Sequence, residues 1–80
     1  MTNNHLWNIE WELDVVDWTC EETATWIEFI GYPQYRNLFL KYKIAGSILL
    51  QLTESDLTNY LFILNESDQI NIMNMINMLK

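Results

Sequence analysis

The sequence is short of the residues from which catalytic and nucleic-acid sites are usually built. Its 80 residues include one Cys, one His, two Gly and one Pro. Cys20, being alone, excludes a disulfide within the chain, and with His5 as the sole imidazole there are too few ligands for a Cys/His zinc site. His5 and Cys20 also lack the orienting third group that a nucleophile and its base require. The isolated Gly31 and Gly46 make no phosphate-cradling loop. Glu10, Glu12, Asp14 and Asp17 alternate with apolar residues and have no Gly among them, unlike a calcium-binding loop. No metal or cofactor is therefore expected, and a chain this small has little room for a catalytic cleft, so we expect no enzyme.

Cations are scarce as well. Arg36, Lys41, Lys43 and Lys80 stand against 11 acidic residues, for a net charge of −7. Nucleic acids and anionic membrane surfaces are bound mainly through Lys and Arg, so neither is an expected partner. The longest apolar run, Tyr60-Leu61-Phe62-Ile63-Leu64, falls far short of the ~20 residues that span a bilayer. No basic segment followed by an apolar stretch marks a secretory signal. With an unpaired thiol, these absences lead us to expect a cytoplasmic setting.

What the chain does have is apolar and aromatic content: half of its residues are hydrophobic, with four Trp, four Tyr and three Phe. That suffices for one small domain, in which about 60–65% of the unfolded surface is buried. Apolar residues recur mostly at spacings of three and four, the helical period. Thr19 with Glu22 forms a capping-box pattern and predicts a helix over 20–30, closed by Gly31. Pro33 suits the first position of a second helix ending near Tyr42, with Tyr35, Leu38 and Phe39 on its inner face. A very short helix is expected over 47–50. Thr53 and Asp56 then open another, with Leu57, Tyr60 and Leu61 facing inward. Asn65 or Ser67 caps a long last helix to Lys80, lined by Ile72, Ile76 and Leu79. Leu49, Leu50, Leu52 and Trp26 are expected in the core. The first residues are ambiguous. Trp7, Ile9, Trp11, Leu13 and Val15 alternate as in a strand, while Trp7, Trp11, Val15 and Trp18 have helical spacing. An extended form packed on the domain is slightly favoured.

Trp18-Thr19, Trp26-Ile27, Ile30-Gly31, Tyr35 and Phe39, followed by the run from Ile44 to Leu57 (IAGSILLQLTESDL), resemble a sterile alpha motif domain. Ile72, Ile76 and Leu79 match its last helix. The resemblance implies an all-α, five-helix bundle over 18–80, and the residue pattern ahead of it predicts an ordered extension over 1–17. It also implies a non-catalytic protein–protein interaction module of a signalling or scaffold protein, pairing with another sterile alpha motif domain. Self-association into oligomers and RNA binding are the alternatives within the family.

Members of the family associate through two surfaces: the usually basic start of the fifth helix and a usually acidic central surface. This chain departs from the pattern in several places. Leu61-Phe62-Ile63 stands where Leu-Gly-Ile is usual, Thr23 where an aliphatic residue is usual, and Ala45 where Asp is frequent. The start of the last helix carries Glu66, Asp68 and Gln69 in place of cations. We therefore expect a monomer or weak dimer alone, and a heterotypic complex with a more basic partner. Candidate contact residues are Glu66, Asp68 and Gln69 at the helix-five end, and Tyr42, Lys43, Glu54 and Asp56 on the central surface. Phe62 is expected to add apolar affinity. Trp7 and Trp11 either pack on the domain itself or anchor a partner.

Overall fold

The computed structural model describes residues 14–80. Among these the fold is all-helical: α1 (Cys20–Phe29), α2 (Arg36–Lys41), α3 (Gly46–Leu49), α4 (Glu54–Asn59) and α5 (Glu66–Leu79). Two 3₁₀ turns, Val15–Asp17 and Pro33–Tyr35, precede α1 and α2. The extended reading of 7–13 lies outside the described residues. From Asp14 onward it is corrected. The amide of Asp17 donates to the carbonyl of Asp14 at 2.9 Å, and this turn delivers Trp18 into the core.

Local chemistry explains the helix starts. Thr19 Oγ1 accepts from the amide of Glu22 at 3.1 Å, while Glu22 Oε1 accepts from the amide of Thr19 at 2.9 Å. Thr53 and Asp56 repeat this reciprocal pair at α4, at 3.2 and 3.0 Å. Asn65 Oδ1 accepts from the amide of Asp68 at 3.0 Å and so caps α5. Each such cap contributes about 1 kcal/mol by satisfying amides that a helix leaves unpaired. The second helix does not begin as one α-helix at Pro33. The amide of Tyr35 reaches the carbonyl of Tyr32, three residues back, so its first turn is 3₁₀.

Three segments turn away through left-handed residues. Gly31 (φ 109°) ends α1. Lys43 (φ 54°) follows α2, and Phe62 (φ 55°) follows α4. For a residue with a Cβ this conformation costs about 1–2 kcal/mol. Phe62 thus occupies a glycine-like backbone position while leaving 62% of its surface exposed. Phe62→Gly is expected to stabilise the fold by about 0.5–1 kcal/mol, the relief of strain being partly offset by the greater freedom of glycine when unfolded. A urea titration with unchanged slope and a higher midpoint is the expected result.

The helices close over Trp18, Trp26, Ile27, Phe39, Ile44, Leu49, Leu52, Leu57, Leu61, Ile63, Ile72 and Ile76, all buried. Leu50 and Tyr35 sit at the margin rather than within. Tyr60 does not face inward as expected but is 65% exposed, because Leu57 and Leu61 take the inner positions at the end of α4. Thr23 is fully buried, and its hydroxyl donates to the carbonyl of Ile44, giving a polar side chain a role on an otherwise apolar helix face.

Candidate functional site

Two faces carry the residues singled out above. On the central face, α2, α3 and α4 meet around a concavity of about 450 Å³ lined by Tyr42, Ile44, Ile48, Gln51, Leu52, Asp56 and Tyr60. Ile44 and Leu52 form its buried floor. Tyr42, Ile48 and Tyr60 form an exposed rim, with 37%, 44% and 65% of their surfaces open. Water-facing aromatic and aliphatic groups around a concave apolar floor are the usual makings of an interface anchor.

Charge flanks this groove with opposite signs. The Lys41 ammonium lies 5.3 Å from the centre of the Tyr42 ring, and Lys43 is exposed on the turn that follows. Half-buried Asp56 belongs to the groove's lining, and Glu54 is exposed in the first turn of α4. Asp56 lines the groove, but one of its oxygens already accepts the amide of Thr53. The fold thus brings Tyr42 and Asp56 to the groove and adds Ile48, Gln51 and Tyr60, while Lys43 and Glu54 are exposed on neighbouring segments of the chain. Ile48 was not among the sequence candidates, and its exposure depends on how the four-residue α3 is oriented.

The start of α5 is built differently. Asp68 Oδ2 accepts the hydroxyl of Tyr35 at 2.5 Å. Gln69 Nε2 donates to the carbonyl of Ile63 at 2.7 Å and to Thr58 Oγ1 at 3.0 Å. Both side chains therefore tie α5 to the rest of the bundle, and of the three residues proposed there only Glu66 is exposed. Phe62 lies on the turn before α5 with its ring in solvent, as do Tyr60 and Leu64 on either side of it. Trp7 and Trp11 lie outside the described residues. Among those residues, no cluster of three or more metal-ligating side chains occurs. Nor is any helix among them long and apolar enough to cross a membrane.

The Tyr35–Asp68 bond makes a pH prediction. Burial, then the hydrogen bond to Asp68 and the charge of that carboxylate, push Tyr35 up to about 12. The unfolded phenol titrates near pH ~10, so folding favours its protonated form. This contribution to stability is complete below pH ~10 and is lost as pH rises toward ~12. Tyr35→Phe should cost about 1–2 kcal/mol at neutral pH and reduce the alkaline loss of stability. Thermal melts at neutral and alkaline pH compare the two chains.

The SAM domain (sterile alpha motif) family model matches residues 16–80. In structure the chain is similar to one in the crystal structure of the Scm-SAM and Sfmbt-SAM heterodimer, with a TM-score of 0.77 and 30% identity over 85% of this chain and 88% of that one. Among curated proteins it is 44% identical over 43 residues to the NAD(+) hydrolase tir-1 of Caenorhabditis elegans, covering 54% of this chain and 4% of that protein. It is also 40% identical over 40 residues to diacylglycerol kinase delta of Mus musculus, covering 50% of this chain and 3% of that protein. The chain thus spans only a small fraction of the length of these curated relatives.

Proposed function

This chain belongs to the sterile alpha motif family, and from that premise we propose that it is a non-catalytic interaction module that binds a second, more basic domain of the same family. The observation that carries this reading is the aromatic-rimmed groove bounded by Tyr42, Ile48 and Tyr60. Its similarity to a chain from a complex of two such domains supports a heterotypic pairing. The central groove is the contact face. At the other candidate face, Asp68 and Gln69 are engaged within the fold. Glu54 and Asp56 supply one acidic side, and the overall charge of −7 draws a basic partner at long range. Such a module suits a cytoplasmic signalling or scaffold protein.

Self-association is the second reading, since two family surfaces on one chain can propagate head to tail. Here the α5 start presents Glu66, and two copies at −7 repel. The scarcity of cations likewise speaks against RNA as the partner. Sedimentation velocity of the chain alone at low micromolar concentration should show a monomer or a weak dimer. Titration with a panel of sterile alpha motif domains should show saturable one-to-one binding, strongest with those whose helix-five start is basic. Large polymers of the chain alone, or binding to an RNA oligonucleotide in preference to every domain of the panel, would overturn the reading. Glu66→Lys is the cleaner charge reversal at the α5 start, because Asp68→Lys would also break the bond to Tyr35.

A further inference from the structure

From Gln69 to Leu79 the sequence carries no charged residue, its longest such run, although the whole chain stands at −7. The run lies within the 14-residue α5. Ile72 and Ile76 face the core, which leaves Ile70, Asn71, Asn74, Asn77 and Met78 exposed together on the outer face of the helix. Ile70 and Met78 keep 47% and 77% of their surfaces open there. We propose that this face binds the same face of a second copy, in an antiparallel two-fold pairing of α5 helices centred on Asn74. The surface is separate from the groove, none of whose lining residues belongs to α5.

Charge selects the occupant. Two chains at −7 repel wherever their acidic surfaces meet, so a second copy approaches at least cost where both surfaces are uncharged. A strongly basic partner gains nothing on such a face. Charge also selects the orientation. The first turn of α5 holds Glu66 and Asp68, and Lys80 follows its last turn. A parallel pair would set these acids against each other. With Asn74 on the two-fold axis, antiparallel helices place Lys80 of one copy level with Asp68 of the other and within a turn of its Glu66. The opposed helix dipoles favour the same arrangement.

The side chains match under the same operation. Ile70 and Met78 each lie four residues from Asn74, about 6 Å along the axis, so Ile70 of one copy comes level with Met78 of the other. Asn71 and Asn77 come level in the same way, and the two Asn74 side chains meet at the axis. A carboxamide both donates and accepts, so it pairs with its own kind. Asn71 already donates to the Tyr32 hydroxyl at 3.2 Å, whereas Asn74 and Asn77 make no side-chain hydrogen bond among the described residues.

A helix of this length presents a strip about 20 Å long, so pairing covers about 400 Å² per partner, half of what a standard interface buries. The dimer is accordingly weak, with a dissociation constant on the order of 100 μM. It is closed by its two-fold symmetry and does not propagate. Added salt should strengthen it, because screening removes the net repulsion while exposed ion pairs at the ends contribute little.

NMR spectra of the isotope-labelled full chain, from low micromolar to millimolar concentration, test the pairing. The amides of Ile70, Asn74, Asn77 and Met78 should shift with concentration, and those of Ile48, Gln51 and Tyr60 should not. Sedimentation equilibrium should fit a monomer and a dimer, with more dimer at higher salt. Asn74→Asp keeps the side-chain shape but sets two carboxylates against each other at the axis. It should weaken the dimer about tenfold or more, with unchanged far-UV circular dichroism. Orientation is read by oxidising a mixture of two chains, one with Cys20→Ser and Ile70→Cys, the other with Cys20→Ser and Met78→Cys. The mixed disulfide should predominate. Absence of any concentration dependence, shifts confined to the groove or the α5 start, undiminished pairing of the Asn74→Asp chain, or disulfides mainly between like chains would each overturn the proposal. Because α5 supplies no residue to the groove, each of these failures leaves the partner reading standing.

Discussion

Gly46→Ala is expected to destabilise the fold by about 3–5 kcal/mol, a large part of the ~5–15 kcal/mol that holds a small domain together. Helix propensity alone argues the opposite, since Ala is favoured over Gly by about 1 kcal/mol inside a helix. The added Cβ, however, would lie 1.6 Å from the Val15 carbonyl oxygen, 2.8 Å from its carbon and 3.0 Å from the Trp18 nitrogen. All three are backbone atoms, so no side-chain rotation relieves the clash. The turn at Val15–Asp17 has to move off α3, breaking the bond from Gly46 to the Trp18 carbonyl and drawing the Trp18 ring out of the core. Urea unfolding followed by far-UV circular dichroism measures this. An alanine variant as stable as the parent chain would contradict the close approach. Nothing lies within 4 Å of a Cβ built at Gly31, so Gly31→Ala should cost only the strain of φ 109°, about 1–2 kcal/mol.

These two glycines illustrate what can be read from a sequence. Gly31 was legible because its role is local: it follows an amphipathic stretch and turns the chain at a helix end. The caps at Thr19, Thr53 and Asn65 were legible for the same reason, each being settled by partners three residues away. Gly46 looked like punctuation between helices, yet its requirement comes from a turn some thirty residues earlier in the chain. Long-range pairings are hidden in the same way. The Tyr35 hydroxyl meets Asp68 across 33 positions, which turns an expected contact residue into a structural tie. Tyr60 satisfied the helical spacing of an inner face, but the chain leaves α4 at that point and the ring faces solvent. The site was thus half legible. Tyr42 and Asp56 line the groove, which Ile48 and Gln51 join only through the placement of α3, while Lys43 and Glu54 are exposed but not part of its lining.

The second large effect is on binding. Replacing Ile48 with Gln and Tyr60 with Ser should weaken a heterotypic complex by about 30-fold or more, equivalent to about 2 kcal/mol or more. Tyr is enriched among the few residues that dominate interface energy, and these two side chains stand on the rim where a partner would seal the groove from water. The same substitutions should hardly alter the melting temperature, because neither side chain belongs to the buried core. Loss of affinity through slower association alone would point to charge rather than apolar contact, since rim charges act mainly on encounter. Here the loss should appear chiefly as faster dissociation. Calorimetry with surface plasmon resonance separates the two.

Chemical-shift mapping tests the groove as the partner surface most directly. The isotope-labelled full chain is titrated with an unlabelled sterile alpha motif domain whose helix-five start is basic. The groove reading predicts saturable one-to-one shifts concentrated at Tyr42, Ile48, Gln51 and Tyr60, with the α5 start largely unmoved. Shifts confined to Glu66, Asp68 and Gln69, or no saturable shift with any such domain, would contradict it.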